Sequence, residues 1–119
     1  MKIFFACPVR YISEDYFQNI LSQVFALEDE GHRVYFPHHH TNQDDPTGLR
    51  ICKDNRQAIK DADVVYVIWD GLSQGVMFDL GIAFALRKPI RTITGYMPPM
   101  TNGKSFQNMI FDWEENGSF

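Results

Sequence analysis

Cysteine is scarce in this chain. Cys7 and Cys52 are the only two, too few for a disulfide framework and in keeping with a reducing compartment. Positive charge is short as well: Lys and Arg number 11 against 15 Asp and Glu, a formal net charge of −4, and no basic stripe collects them. Without such a stripe there is little to release counterions from a nucleic-acid backbone, so no nucleic-acid polymer is expected as partner. A single nucleotide stays open, because one or two donors suffice to hold it. Long apolar runs are missing too. The apolar start at residues 3–7 is too short for a signal-peptide core or a bilayer span, so a soluble, cytoplasmic protein is expected. There is no repeat, linker or low-complexity tract. The 119 residues, 45 % hydrophobic and 22 % charged, read as one globular domain over 1–119 with a modest core.

What is present alternates between strand and helix. Residues 2–6 read as a first strand, ended by Cys7-Pro8. Ser13 is placed to cap a helix, with Glu14 and Asp15 in its first turn. Tyr16, Phe17, Ile20, Leu21, Val24, Phe25 and Leu27 follow at helical spacing, and Gly31 closes the helix. Residues 33–36 form a second strand, and 37–48 a polar loop. Asp45-Pro46 is placed to open the next helix as cap and first residue. Residues 63–69, apolar on both faces, suit a central parallel strand. A helix over 75–87 and a strand over 89–94 follow, then a loop to 103. The segment 105–113 is open between helix and irregular arm. This alternation predicts an α/β fold: a doubly wound, flavodoxin-like sheet, mostly parallel, of four to five strands in the order 2-1-3-4, with helices on both faces. Ligands of such sheets sit outside the carboxyl ends of the strands. That edge collects 7–10, 37–40, 69–75 and 95 onward.

The candidates for chemistry lie on that edge. Ser73, Gln74 and Gly75 lead into the helix over 75–87. Free N–H groups at a helix start bind anions, so these residues make either a phosphate or sugar site or an ordinary cap. Asp79 is an acid near the start of a helix that is apolar almost all round. The helix dipole favours its ionised form. It is either a nucleophile facing a cleft or a dipole-stabilising acid facing water. Asn55 falls on the inward stripe of the preceding helix, and Asp54 lies about 100° round from it. Asn55 therefore either bonds a ligand or Asp79, or satisfies buried backbone. Arg10 either pairs with a phosphate in a forked geometry or sits on the surface. Asp70 ends the central strand at the same edge as a second carboxylate, whereas Asp63 begins it at the far end. His38 and His40 share a face if extended, but no third ligand is evident, and no metal is expected. Cys7 reads as a small core thiol, since nothing marks it as activated.

The run 62–90, ADVVYVIWDGLSQGVMFDLGIAFALRKPI, resembles the nucleoside 2-deoxyribosyltransferase superfamily, nearest the branch of the 2′-deoxynucleoside 5′-monophosphate N-glycosidases. The pattern there is an A-D pair, an apolar strand, a polar turn, G-x-x-[YF]-E-L-G and a helix ending in G-K-P. FFACPVR, RVYFPH and the helix 55–61 match more weakly. The resemblance implies the sheet inferred above and cleavage of an N-glycosidic bond. It puts the nucleophile at Asp79 and a phosphate-binding serine at Ser73. It also places Arg10 and His38 in the substrate region, with Pro8 and Asp70 counted beside them as substrate-binding candidates at the same sheet edge. It further implies an oligomer, a homodimer or higher, whose sites near the subunit interface borrow residues from a neighbour around Gln107, Asn108 and Met109. Three positions depart from the pattern. Asp79 stands for Glu, one methylene shorter. Asn55 stands for Asp, and an amide cannot serve as a base. Arg87 replaces a glycine.

The expectation is an enzyme that cleaves or transfers at the N-glycosidic bond of a nucleoside or nucleoside 5′-monophosphate. Asp79 attacks, and Ser73, the Gly75 amide and Arg10 hold phosphate. Asn55 orients the sugar or the carboxylate, and Phe36 or Tyr96 stacks on the base. No cofactor is expected, since an oxocarbenium-stabilising anion suffices. The departures also fit a second class, a nucleotide-binding or sensing module that keeps the pocket without turnover. A receiver-like domain fits poorly, because Cys7-Pro8-Val9-Arg10 occupies the place of its acidic pair. A TIR-like domain fits the D-L-G run poorly.

Overall fold

The computed structural model describes residues 1–117. In chain order its elements are β1 (Lys2–Ala6), α1 (Glu14–Asp29), β2 (Arg33–Tyr35), α2 (Pro37–His40) and α3 (Leu49–Asp61). Then come β3 (Val64–Val67), α4 (Gln74–Ala85), β4 (Ile90–Thr92) and α5 (Phe106–Asn116). The four strands form one parallel sheet in the order β2-β1-β3-β4, the order expected from the alternation of elements.

The side-chain period of two divides the core. Ile3 and Phe5 of β1 point to one face with Val34, Val64 and Ile68, where α1 covers them with Ile20 and Val24. Phe4 and Ala6 point to the other with Val65 and Val67. There α3, α4 and α5 contribute Ile59, Val76, Leu80, Ala83, Ile110 and Trp113. Each large apolar side chain removed from water contributes about 1.5–3 kcal/mol, so both faces are needed to hold a sheet of strands this short. Ser13 Oγ accepts from Tyr16 N–H at 3.1 Å as the cap of α1. Gly31, at φ +94°, closes that helix in a conformation that favours glycine.

Several boundaries differ from the sequence expectation. The polar loop contains the short helix α2, in which His39 and His40 N–H reach Phe36 O at 2.9 and 2.8 Å. The next helix begins at Leu49, not at Pro46, with Gly48 in a left-handed conformation at its cap. Asp45 still serves this terminus from outside: its carboxylate accepts from Ile51 N–H at 3.1 Å. That bond, with further backbone bonds, holds its pKa below the usual carboxylate value. The central strand is shorter than 63–69, because Trp69 N–H leaves the ladder for Tyr96 O. The segment 105–113 is helical and extends to Asn116, capped by Ser105.

Two side chains tie off exposed backbone. Lys88 Nζ donates to Lys60 O and Ala62 O at 2.9 and 2.7 Å, at the carboxyl end of α3, where a cation complements the helix dipole. Glu114 of α5 accepts from the backbone N–H of Thr92, on the outer side of β4, and from its hydroxyl.

Candidate active site

The segments leaving the carboxyl ends of β1, β2 and β3 enclose a cavity of about 560 Å³, within the usual range for small-molecule sites. Arg10 and Tyr11 come from the loop after β1, Pro37 and Gln43 from the region after β2, and Asp70 to Gly75 from the turn after β3. Cys52 and Asn55 of α3 and Phe78 and Asp79 of α4 complete the wall. A larger and shallower depression, about 710 Å³, lies toward the other end of the sheet between β2 and α3. It holds no buried titratable side chain.

The turn after β3 is built by its own residues. Gly71 takes φ +81°. Asp70 Oδ1 accepts from Leu72 N–H and Ser73 N–H at 2.8 and 2.7 Å, so this carboxylate organises the turn. Trp69 Nε1 donates to Ser73 O at 3.2 Å. Ser73 Oγ caps α4, accepting from Val76 N–H at 3.3 Å, and retains its own proton for a ligand. Gly75 is not required by the fold, since a Cβ there would meet only Ser73 Oγ at 4.0 Å. Its missing side chain leaves the amino end of α4 open to the cavity.

Asp79 lies one turn deeper. It is only 9 % exposed yet lines the cavity, so the acid faces the cleft and not bulk water. Burial pushes its pKa up from 3.8 to about 7, against the opposing pull of a hydrogen bond from Asn55. The helix dipole noted from the sequence favours the ionised form, but removal from water outweighs it. Asn55, 6 % exposed, points its Nδ2 at Asp79 Oδ2 across 3.5 Å, long for a hydrogen bond. Its orientation is fixed behind: Thr41, 3 % exposed, donates its hydroxyl to Asn55 Oδ1 at 2.8 Å. Tyr35 Oη stands 2.6 Å from Thr41 Oγ1 and 3.3 Å from His40 O. Cys7 is buried beside Asp79, and desolvation together with that acid pushes its thiol well above the usual range, which suits a core thiol.

The cavity thus brings together Asp79, Asn55, Ser73, Gly75, Arg10 and Asp70. Arg10 is exposed at the rim with no hydrogen bond to a described residue. Two residues expected from this same chain, Pro8 and His38, do not line it. Pro8 is buried behind the loop. His38 belongs to α2, its ring 4.4 Å from that of Phe17. Asn108 holds the loop before α5, its Nδ2 donating to Thr101 O and Gly103 O at 2.6 and 2.7 Å. His38 and His40 also part company, since His40 Nδ1 accepts from Phe36 N–H at 2.8 Å. Among the described residues, no three His, Cys, Asp or Glu side chains converge in a metal-binding group.

The aromatic expectation also changes. Phe36 is buried against Phe5 and Phe17, and Tyr96 packs edge-on against Tyr16 at 6.2 Å. The aromatics on the cavity are Tyr11 and Phe78. Tyr11 is fully exposed with φ +59°, an uncommon conformation outside glycine. Sequence reading missed it together with Thr41. The only local signal was the position of Tyr11 directly after the first-strand loop.

The sequence model described as nucleoside 2-deoxyribosyltransferase matches residues 3–113. No curated protein sequence matches the chain. Among solved structures, a 2-deoxyribosyltransferase from Bacillus psychrosaccharolyticus is similar at TM-score 0.68 and 22 % identity, over 100 % of this chain and 92 % of that one. The CMP N-glycosidase BcmB of Clostridium botulinum is similar at TM-score 0.59 and 22 % identity, over 77 % of this chain and 70 % of that one. At such identity the likeness concerns the fold.

Proposed function

The chain belongs to the nucleoside 2-deoxyribosyltransferase family, and from that premise we propose that it breaks the N-glycosidic bond of a nucleoside or, by preference, a nucleoside 5′-monophosphate. One observation carries the reading. A buried carboxylate, Asp79, opens onto a cavity that also receives the amino end of its own helix. The sugar would lie over Asp79 with its phosphate toward Ser73, the Gly75 N–H and Arg10. These offer a hydroxyl, backbone donors at a helix start and a forked cation. Tyr11 and Phe78 flank the remaining space as surfaces for a base.

In the reaction, an Asp79 carboxylate oxygen bonds to the anomeric carbon as the bond to the base nitrogen breaks. The electron pair leaves with the base, which takes up a proton. Water or a second base then attacks the glycosyl ester and regenerates the carboxylate. Only the ionised acid can begin this cycle, so a carboxyl raised to about 7 loses competence as pH falls below neutrality.

The exposed side of α4 carries Gly75, Phe78, Gly81 and Ala85, and Phe78 is 55 % exposed. A second copy of the chain is the proposed cover for this apolar strip, which adjoins the cavity. A cytoplasmic location fits the two free cysteines, and no helix among the described residues is long and apolar enough to cross a membrane.

The test is incubation with the common nucleosides and their ribo- and deoxyribonucleoside 5′-monophosphates, with and without an acceptor base, while free base is followed by chromatography. Release of base that Asp79→Ala abolishes supports the proposal. No release from any of them, by wild type or Asp79→Glu, overturns the enzyme reading. One observation favours a second function, a binding module without turnover: the partner of Asp79 is an amide, not a second acid. Tight nucleotide binding by calorimetry with no base released would select it.

A further inference from the structure

Behind the nucleophile proposed above runs a chain of polar groups that the reaction itself does not use, from the half-buried Tyr35 of β2 through the buried Thr41 and Asn55 to Asp79 of α4. Tyr35 Oη meets Thr41 Oγ1 at 2.6 Å, Thr41 Oγ1 meets Asn55 Oδ1 at 2.8 Å, and Asn55 Nδ2 meets Asp79 Oδ2 at 3.5 Å. Each hydroxyl has one proton to give, so the order of donation along the chain decides which end of the Asn55 amide faces the acid.

A phenol is a stronger donor and a weaker acceptor than an aliphatic hydroxyl. Thr41 donates its one proton to Asn55 Oδ1 and so accepts from Tyr35, whose Oη lies closer to Thr41 Oγ1 at 2.6 Å than to its other acceptor, His40 O, at 3.3 Å. With the carbonyl end engaged, the NH2 end is left toward Asp79, where it favours the charged carboxylate. In the reversed amide a carbonyl would face the acid, an arrangement that only a protonated acid satisfies. Tyr35 itself is held by its ring, stacked on Phe4 with centroids 5.7 Å apart.

We infer that Tyr35 and Thr41 are positioning residues which lock the Asn55 amide with its N–H groups toward Asp79 and so bias the nucleophile toward its reactive, charged form. The inference deepens the reading of Asp79 as nucleophile, and neither Tyr35 nor Thr41 lines the cavity. Other titratable groups facing Asp79 are Cys7 from the end of β1 and Cys52 from α3. Both thiols are raised above their usual range by burial and by Asp79. Both are thus neutral through the range where Asp79 titrates. Arg10 and Asp70 line the same cavity nearer its mouth.

The experiment follows the Asp79 carboxyl carbon by NMR in aspartate-labelled protein across pH 5 to 9, beside Thr41→Val, Tyr35→Phe and Thr41→Ser. Thr41→Val keeps the shape and removes the hydroxyl. Its Asp79 midpoint is expected to rise by about one pH unit, a tenfold loss of the ionised fraction below the midpoint. Tyr35→Phe keeps the stacking, and a smaller rise in the same direction is expected. Thr41→Ser retains the wild-type midpoint. Lower melting temperatures in Thr41→Val and Tyr35→Phe with an unmoved midpoint overturn the inference, as does a fall in the midpoint. Should Thr41→Val fail to fold, Tyr35→Phe and Thr41→Ser decide by the same spectra. The titration needs no substrate. A protein that releases no base refutes the proposed function, whereas an unmoved midpoint refutes the relay.

Discussion

Asn55 and Asp79 face each other across 3.5 Å from two helices packed on the same side of the sheet. Together they make a carboxylate whose charge is set by one amide and by removal from water.

Activity should depend on pH through Asp79. With its pKa at about 7, kcat/KM is expected to rise tenfold per pH unit on the acid side and level off above about pH 8. A profile flat from pH 5 to 9 would remove Asp79 from the role of nucleophile.

Stability should run the other way. The folded-state pKa of about 7 lies above the unfolded value near 3.8. Between these values the native state binds more protons than the unfolded one, so this group's contribution falls as pH rises. It is most favourable below about pH 4 and is lost through about pH 7, by a few kcal/mol in all. Asp79→Asn is therefore expected to raise the melting temperature more at pH 8 than at pH 5. Equal effects at the two pH values would contradict the raised pKa.

Asn55→Asp places a second acid beside the first. Two carboxylates at such separation resist joint ionisation, and the pair titrates as a unit with its upper step above that of wild-type Asp79. The acid limb of the activity profile should move to higher pH by about one unit or more. An unchanged limb would mean that the two side chains do not sense each other.

Ser73→Ala should weaken the amino end of α4 by about 1 kcal/mol, the usual effect of losing a cap. It should also raise KM for a nucleoside 5′-monophosphate more than for the free nucleoside, as should Arg10→Ala. Equal changes for both substrates would place the phosphate elsewhere.

Phe78→Glu puts a charge on the apolar strip of α4. If a second copy covers that strip, light scattering should show the mutant shifted to a smaller species at the same concentration. A wild type that is itself monomeric would leave the strip without its proposed cover.

Much of this architecture was legible from residue patterns. The run 62–90 carries a strand, turn and helix whose order and facing are those observed, and the lone acid in an apolar helix marked Asp79. The inward stripe of α3 likewise singled out Asn55 over Asp54, which is exposed and pairs with Arg50. Thr41 and Tyr35 were hidden because their partners are tertiary: Thr41 reaches Asn55 from 14 positions away in sequence. The start of α3 was misplaced because Asp45 caps it at a distance, through a turn that Gly48 completes. The raised pKa of Asp79 could not be read from the sequence, because the helix terminus is visible there while the depth of burial is not.

The clasp of Glu114 on Thr92 has a consequence for association. An outermost strand with free amides invites another chain to add itself edge to edge, which is how soluble proteins seed fibrils. Here the outward amide of Thr92 already has its acceptor. Continuous strand addition at that margin is thereby disfavoured.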